Sequence, residues 1–224
     1  MAEIKIVPDF PRPDKALVER FRALPVANID DAMDRLQAVD PAIRRLGRGK
    51  LVGTAFPVKV AQCDNLMLHA AMDMAKPGDV IVIDAGGYEK RAIFGELMAT
   101  YCKMRGLAGM VCDGAIRDRD ELAEMEDFPV FARSATPDGP YKNGPGEIGT
   151  TVSIGGRIVR PGDIVVGDGD GLIFLDPAQA ERIAQDAEKI LRMEAGLMEN
   201  ILQGRYERPW VKEKLRALGY EAEK

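Results

Sequence analysis

Cysteine is scarce in this sequence, and the three present, Cys63, Cys102 and Cys112, are an odd number lying inside apolar segments. They lack the close spacing of a zinc knuckle and fit reduced core residues of a cytosolic protein. No apolar run approaches membrane-spanning length, and the N-terminal stretch MAEIKIVPDFPRPDK is too polar for a signal peptide, so the expected compartment is the cytoplasm. An excess of positive charge is also missing. The 31 Lys and Arg face 36 Asp and Glu, for a formal net charge of -5, and no basic tract of the polyanion-binding kind occurs. Nucleic acid is therefore not an expected partner. There is no Walker A lysine loop, no strand-linked G-x-G-x-x-G and no G-x-S-x-G elbow, which removes the commonest nucleotide and acyl-transfer sites. No lysine sits in an obvious apolar strand-end setting for Schiff-base chemistry.

What is present suits one generous globular domain: 224 residues, 46% hydrophobic and 30% charged. The first dozen residues are Pro-rich and read as an extended arm. Asp14 to Leu24 carries apolar residues at helical spacing behind an Asp cap, and Pro25 stops it. Asn28-Ile-Asp-Asp31 reads as the cap of a second helix, AMDRLQ. Leu51 to Val60 is a predicted strand in which Pro57 hints at an edge or a bulge. Asp64 opens a helix, DNLMLHAAMDMA, and KPGD ends it. VIVIDAGG then reads as a buried strand feeding a loop. Gly95-Glu96 starts the next helix, Gly106 closes it, and the strand AGMVCDG follows, a βαβ-like crossover. The second half is dominated by short strands, until Asp176-Pro177 caps the long amphipathic helix AQAERIAQDAEKILRMEAGLMENILQ. The motif PGD occurs at 77–79 and 161–163, each time before a β-branched run, so two similar turns into strands are expected.

Four groups are candidates for chemistry. Arg117-Asp118 follows a buried strand, where polar side chains of an α/β sheet meet ligands. Arg suits a carboxylate, and Asp is a hard oxygen ligand for Mg²⁺ or Mn²⁺. The competing reading is an N-cap aspartate for the next helix beside a surface arginine. Gly95-Glu96-Leu97-Met98 opens a helix whose first amides can face an anion, with Glu96 either a metal-shell carboxylate or a dipole-favoured first-turn acid. His69 lies one turn after Asn65 and shares its helix face. Gly167-Asp-Gly-Asp-Gly171 lacks the further acids of a calcium loop and reads as a tight turn.

Glu96, twenty intervening residues and then Arg117-Asp118 resembles the acidic-x20-Arg-Asp signature of the class II pyruvate aldolases. These are the 4-hydroxy-4-methyl-2-oxoglutarate / 4-carboxy-4-hydroxy-2-oxoadipate aldolases, grouped with RraA, a regulator of ribonuclease E activity. The likeness runs from about Ile29 to Leu175 through NIDDAMD, GTAFPVKV, DNLMLHAA, KPGDVIVIDAGG, GELMA, DGAIRD and PGDIVVGDGDG. It implies an α/β fold, the layered αββα sandwich of the RraA-like type, over 1–203, with a helical C-terminal tail at 204–224. It implies trimers or pairs of trimers with sites between subunits. It also implies a lyase that cleaves a 4-hydroxy-2-oxo diacid, or decarboxylates oxaloacetate, to pyruvate through a metal-stabilised enolate.

By that resemblance Arg117 grips the substrate carboxylate, helped by Gly95 and the amides of Leu97 and Met98. Asp118 ligates Mg²⁺ or Mn²⁺, with Glu96 in its shell and Glu194 supplied by a neighbouring subunit. Asn65, His69 and Asp31 line the pocket, His69 among the catalytic residues. Glu96 departs from the group's usual Asp by one methylene, while the RraA regulators lack an acid there. The alternative the resemblance leaves open is a non-catalytic regulatory protein. Gly86 to Arg91 and Thr136 to Gly146 are expected pocket edges, where Lys90, Arg91 or Lys142 would meet a distal carboxylate or lie as solvated surface charge.

Overall fold

The computed structural model describes residues 4–220; the first three residues of the N-terminal arm and the last four of the C-terminal tail lie outside the described residues. In chain order the elements are β1 (Lys5–Ile6), α1 (Lys15–Arg20) with a 3-10 turn at Phe21–Ala23, α2 (Val26–Asp31), β2 (Arg44–Leu46), β3 (Leu51–Val60) and α3 (Leu66–Met74). They continue with β4 (Asp79–Ala92), α4 (Glu96–Met104), β5 (Gly109–Ile116), α5 (Arg119–Ala123) and β6 (Val130–Ala135). The second half holds β7 (Gly146–Ile148), β8 (Val152–Ile154), β9 (Arg157–Val159), β10 (Ile164–Gly167), β11 (Leu172–Leu175), α6 (Pro177–Leu202) and α7 (Pro209–Ala217).

β3, β4, β5 and β6 run parallel, joined through α3, α4 and α5. The sheet order is β1-β7-β3-β4-β5-β6-β2, with the β10–β11 hairpin also paired to β3. β3 is the hinge of the architecture. Its first residues pair with β10 and its last with β7, so one strand belongs to both halves of the sandwich. Strand alternation then separates three apolar layers. Phe56, Val58, Ile81, Ile83, Met110 and Cys112 pack beneath α3 and α4. Ala55, Val80, Val82, Val111, Val165 and Phe174 fill the space between the sheets. Val52, Ile164, Val166, Ile173 and Leu175 meet α1, α2 and α6 on the other side. This is the αββα sandwich expected. Each of the fully buried Phe56, Ile81 and Ile83 contributes on the order of 2–3 kcal/mol by removal from water.

Several details differ from the sequence reading. The second helix is Val26–Asp31, with Pro25 at its N-cap, and AMDRLQ is a turn rather than a helix. Asp34 and Arg35 take positive φ, and the Asp30 carboxylate accepts from Gln37 N at 2.9 Å, which competes with helix continuation. Pro57 is at neither an edge nor a bulge. It sits in a central strand at the step where the partner changes from β10 to β7, so its missing N–H interrupts no ladder. β4 does not stop at the glycines. It continues through two register shifts to Ala92, with Gly86 and Gly87 at positive φ.

The two PGD turns match closely. Gly78 and Gly162 have φ of 86° and 91°, and the following Asp accepts from the amide three residues earlier at 2.8 Å in each. The N-terminal arm is tied down: Arg12 meets the buried Asp79 through Nε at 2.9 Å and a terminal nitrogen at 2.7 Å. At the other end α7 buries no residue, and Trp210 is exposed. Among the described residues no helix is long and apolar enough to cross a membrane.

Candidate active site

The C-terminal ends of β4 and β5 are stitched together beyond the ladder. Ile93 N donates to Ala115 O at 2.9 Å, and Arg117 N donates to Phe94 O at 3.0 Å. This fixes Gly95 against the chain at Arg117-Asp118 so tightly that a Cβ on residue 95 would lie 2.1 Å from Asp118 Oδ2. Glycine is required there for space; its φ of -148° is ordinary extended backbone.

Asp118 has φ 54° and ψ 47°, a left-handed conformation that costs a non-glycine residue roughly 1–2 kcal/mol. It occupies the N-cap position of α5, but its side chain caps nothing there. Instead Oδ2 accepts from Glu96 N, the first amide of α4, at 3.0 Å. The N-cap reading is thus corrected: the carboxylate is turned away from its own helix onto the positive end of another. Asp118 Oδ1 takes no hydrogen bond among the described residues.

Arg117 Nε lies 3.6 Å from Asp118 Oδ2, beyond hydrogen-bond reach, and the two side chains are 45% and 36% exposed. The guanidinium therefore faces a cleft of about 370 Å³, walled by Arg117, Asp118 and Ala135 to Pro137. A second, acidic cleft of about 640 Å³ opens beside it, lined by Glu96, by Asp120 and Glu121 of α5 and by Glu124 just after that helix. Glu96 and Leu97 are exposed at the mouth.

Asn65 is buried at the start of α3. Its Nδ2 donates to Ile93 O at 2.8 Å and to Met98 Sδ at 3.5 Å, linking α3 to the segment that carries Glu96, while its Oδ1 is buried without a partner. His69 is half-buried one turn later, and burial followed by the nearby Lys142 charge holds its pKa below the ordinary 6.5, against Asp73.

The loop after β6 is a fixed wall. Asn65 N donates to Tyr141 O at 3.0 Å, Ala92 N to Asp138 O at 2.8 Å, and Arg91 to Gly139 O at 2.7 Å. Arg91 also lies 4.6 Å over the Tyr141 ring. The expected pocket edges do meet, but Arg91 is spent on holding the loop. The Asp64 carboxylate adds to this anchoring through Gly144 N at 3.0 Å and Asn143 N. That role was not visible in the sequence, where Asp64 read only as a helix opener; it does also accept from Leu66 N at 2.9 Å.

The chain thus brings together Gly95, Glu96, Leu97, Met98, Arg117 and Asp118, with Asn65 behind them. It does not bring Asp31 or Glu194 to them. Both lie in the opposite outer layer, where Glu194 of α6 accepts from Asn28 Nδ2 at 2.6 Å and Asp31 of α2 pairs with Arg35 at 2.6 Å. Among the described residues, no three His, Cys, Asp or Glu side chains of this chain gather into a metal-holding group.

Comparison with known proteins identifies the family. The Aldolase/RraA (RraA-like) family profile matches residues 26–174. A curated relative from Halalkalibacterium halodurans, named "Putative 4-hydroxy-4-methyl-2-oxoglutarate aldolase", is 42% identical over 173 residues, covering 77% of this chain and 82% of that one. The solved structure of Streptomyces coelicolor RraAS2, described as an unusual member of the RNase ES inhibitor RraA family, superposes with a TM-score of 0.72 at 27% identity, covering 82% of this chain and 97% of that one. The RNA-processing inhibitor RraA of Thermus thermophilis gives a TM-score of 0.62 at 28% identity, covering 67% and 92%. On the matched span and the shared fold, the chain belongs to the Aldolase/RraA family.

Proposed function

We propose that this protein is a divalent-metal-dependent lyase that cleaves a 4-hydroxy-2-oxo diacid, or decarboxylates oxaloacetate, to give pyruvate. The observation that carries this reading is the placement of a guanidinium and a carboxylate, in a loose ion pair with no hydrogen bond between them, at one helix N-terminus. Arg117 binds the carboxylate of the 2-oxo acid, and the first-turn amides of Leu97 and Met98 add donors beside it.

Asp118 and Glu96 are hard oxygen donors of the kind Mg²⁺ and Mn²⁺ prefer, and Asp118 keeps one oxygen available. Two carboxylates do not complete a site, so the remaining ligands are water and a residue from another copy. Glu194 fits that role, because within its own chain it lies across the sandwich from Asp118. The apolar residues exposed further along α6, Met198, Ile201 and Leu202, support an assembly, and we assign a trimer or a pair of trimers. When bound, the ion supplies Lewis acidity toward the keto oxygen, and Arg117 keeps the substrate oriented toward it.

Bond cleavage at a 4-hydroxy acid needs a base for the C4 hydroxyl proton. Half-buried His69, kept neutral by its surroundings, is the residue to accept it at a ring nitrogen. Decarboxylation removes no such proton and does not need His69. Asn65 positions the Met98 turn, and Asp31 reaches a pocket only from a neighbouring subunit. A panel of 2-oxo acids assayed for pyruvate release, with and without Mg²⁺ or Mn²⁺, tests the reading; no metal-dependent release from any of them would sink it.

The likeness to the RraA structures favours one alternative, a regulatory protein without turnover. Such a protein would bind its partner equally well in excess chelator, whereas the lyase would lose activity.

A further inference from the structure

The acidic character of the whole chain hides a local exception. Four arginines, Arg44, Arg45, Arg119 and Arg133, line one cleft of about 290 Å³ at the β2 edge of the sheet, and no acidic side chain lines it with them. Only Arg133 is committed to carboxylates, those of Asp113 and Asp40. Arg44 and Arg45 each donate one hydrogen bond to a backbone carbonyl, Pro41 O at 3.3 Å and Gly49 O at 2.7 Å, which leaves most of both forks uncommitted. Arg119 makes no ion pair among the described residues.

Register sharpens the picture. Arg44 is directly opposite Ala132, so the two side chains share a face, and Ser134, two residues on, shares it as well, whereas Arg45, opposite Phe131, and Arg133 start from the other face. That is the face covered by α5, whose first residue is Arg119. Ser134 also lines the cleft, and its hydroxyl is buried with no hydrogen-bond partner. Buried hydroxyls are normally satisfied, so this orphan marks a polar group under the cationic cleft that the chain itself leaves without a partner.

We infer that this cleft is a binding site for a phosphoryl group, separate from the Arg117 cleft. The two forks free on this face, those of Arg44 and Arg119, present more donors, from more directions, than the two oxygens of a carboxylate can take. A phosphoryl group offers three terminal oxygens and up to two negative charges. The shared chemistry covers inorganic phosphate and a phosphate monoester alike.

The test is calorimetric titration of the full chain at low ionic strength, with inorganic phosphate, glycerol phosphate and malonate as probes. Saturable binding of phosphate or the monoester is expected, with malonate weaker. Comparable binding of both phosphoryl probes assigns the phosphoryl group as the determinant. Tighter monoester binding adds a subsite for the carbon chain. Arg44→Ala combined with Arg119→Ala should weaken binding by roughly tenfold or more, because each removes charge-assisted hydrogen bonds. Arg117→Ala should leave it within twofold, which separates this site from the proposed catalytic one. Both Arg44 and Arg119 are exposed, so the folded state survives their loss. Phosphate binding abolished by Arg117→Ala, equal binding of malonate, or no binding at millimolar phosphate would each overturn the proposal. So would dissociation of the assembly by Arg44→Glu with Arg119→Glu in a protein that binds no phosphate, since the cleft would then be a contact between copies.

Discussion

Two arginine–aspartate pairs lie within a few residues of each other and do opposite things. Asp113 is inside β5 and is almost fully buried. One of its oxygens meets Arg133 of β6, the other accepts from Gly155 N at 2.8 Å, and Arg133 reaches Asp40 at 2.9 Å. Hydrogen bonding to Asp113, opposed by burial and helped by Asp40, raises the Arg133 pKa above its already high ordinary value. Both oxygens of Asp113 are consumed in that network, so this pair holds the fold. Asp118 is five positions further on, just past the strand end. There the arginine stands 3.6 Å off, both side chains are partly open, and the carboxylate has one oxygen uncommitted. The same two residue types are locked together when the carboxylate is buried and fully hydrogen-bonded, and stay open to a ligand when the carboxylate is drawn onto a neighbouring helix.

The open pair should show the largest effect when changed. Arg117→Ala, or Asp118→Asn, is expected to lower pyruvate release on the order of 10²–10³-fold, the cost typical of losing a charged group at the reacting centre. Asparagine tolerates the left-handed conformation and still accepts from Glu96 N, so the melting temperature should hardly move. Steady-state kinetics beside a thermal melt would read both. A variant that unfolds as it loses activity would erase the distinction between the pairs.

The closed pair should fail in the reverse way. Arg133→Leu leaves the Asp113 carboxylate buried and unpaired, which costs about 3–5 kcal/mol of stability. The urea midpoint should fall accordingly, while turnover per folded molecule stays near the parent value. If activity fell and stability did not, Arg133 would belong to the catalytic region.

Gly95→Ala comes next, and it tests the geometry that keeps the pair open. The added methyl would meet Asp118 Oδ2 at 2.1 Å and Arg117 Cγ at 2.7 Å. Displacement of the carboxylate by about an ångström should cost roughly tenfold to a hundredfold in kcat/KM. The helix is spared, since alanine accepts the backbone angles at this position. Activity within twofold of the parent would show that the close approach is incidental.

The sequence revealed the parts of this contrast that are local. Continuous β-branched and apolar runs and the PGD turns predicted the buried runs of β4, β5 and β10, and both turns formed as read. Glu96, Arg117 and Asp118 were identifiable because the strand ends that carry them are close in sequence. What stayed hidden depends on distant neighbours. The pairing of Asp113 with Arg133 joins residues that periodicity treats as unrelated, and β6 gives no sign that its arginine points inward. Asp118 has the local pattern of an N-cap, and only the approach of Gly95 from the previous crossover turns it onto α4. Pro57 looks like an edge signal because a change of strand partner midway along a central strand has no sequence mark. Arg44 and Arg119 are seventy-five positions apart, so no basic tract announces their cleft.

The smallest expected effect concerns His69, which belongs to neither pair but faces the same pocket wall through Lys142. Burial and that cation hold its pKa below 6.5 in the folded chain, whereas in the unfolded chain it titrates near 6.5. The unfolded state therefore binds the proton more readily. By linkage, the fold loses stability as pH falls from 6.5 to the lower folded pKa, and the loss is then complete. His69→Gln cannot titrate, so the difference in melting temperature between parent and variant should drift between pH 7.5 and 5 in the variant's favour. The drift should be slight, because the ring is partly exposed. The same variant divides the two activities: retro-aldol cleavage should fall with loss of the proton acceptor, while oxaloacetate decarboxylation persists. Equal losses in both would remove His69 from the proton step and leave Arg117 and Asp118 as the only residues of this chain at the reacting atoms.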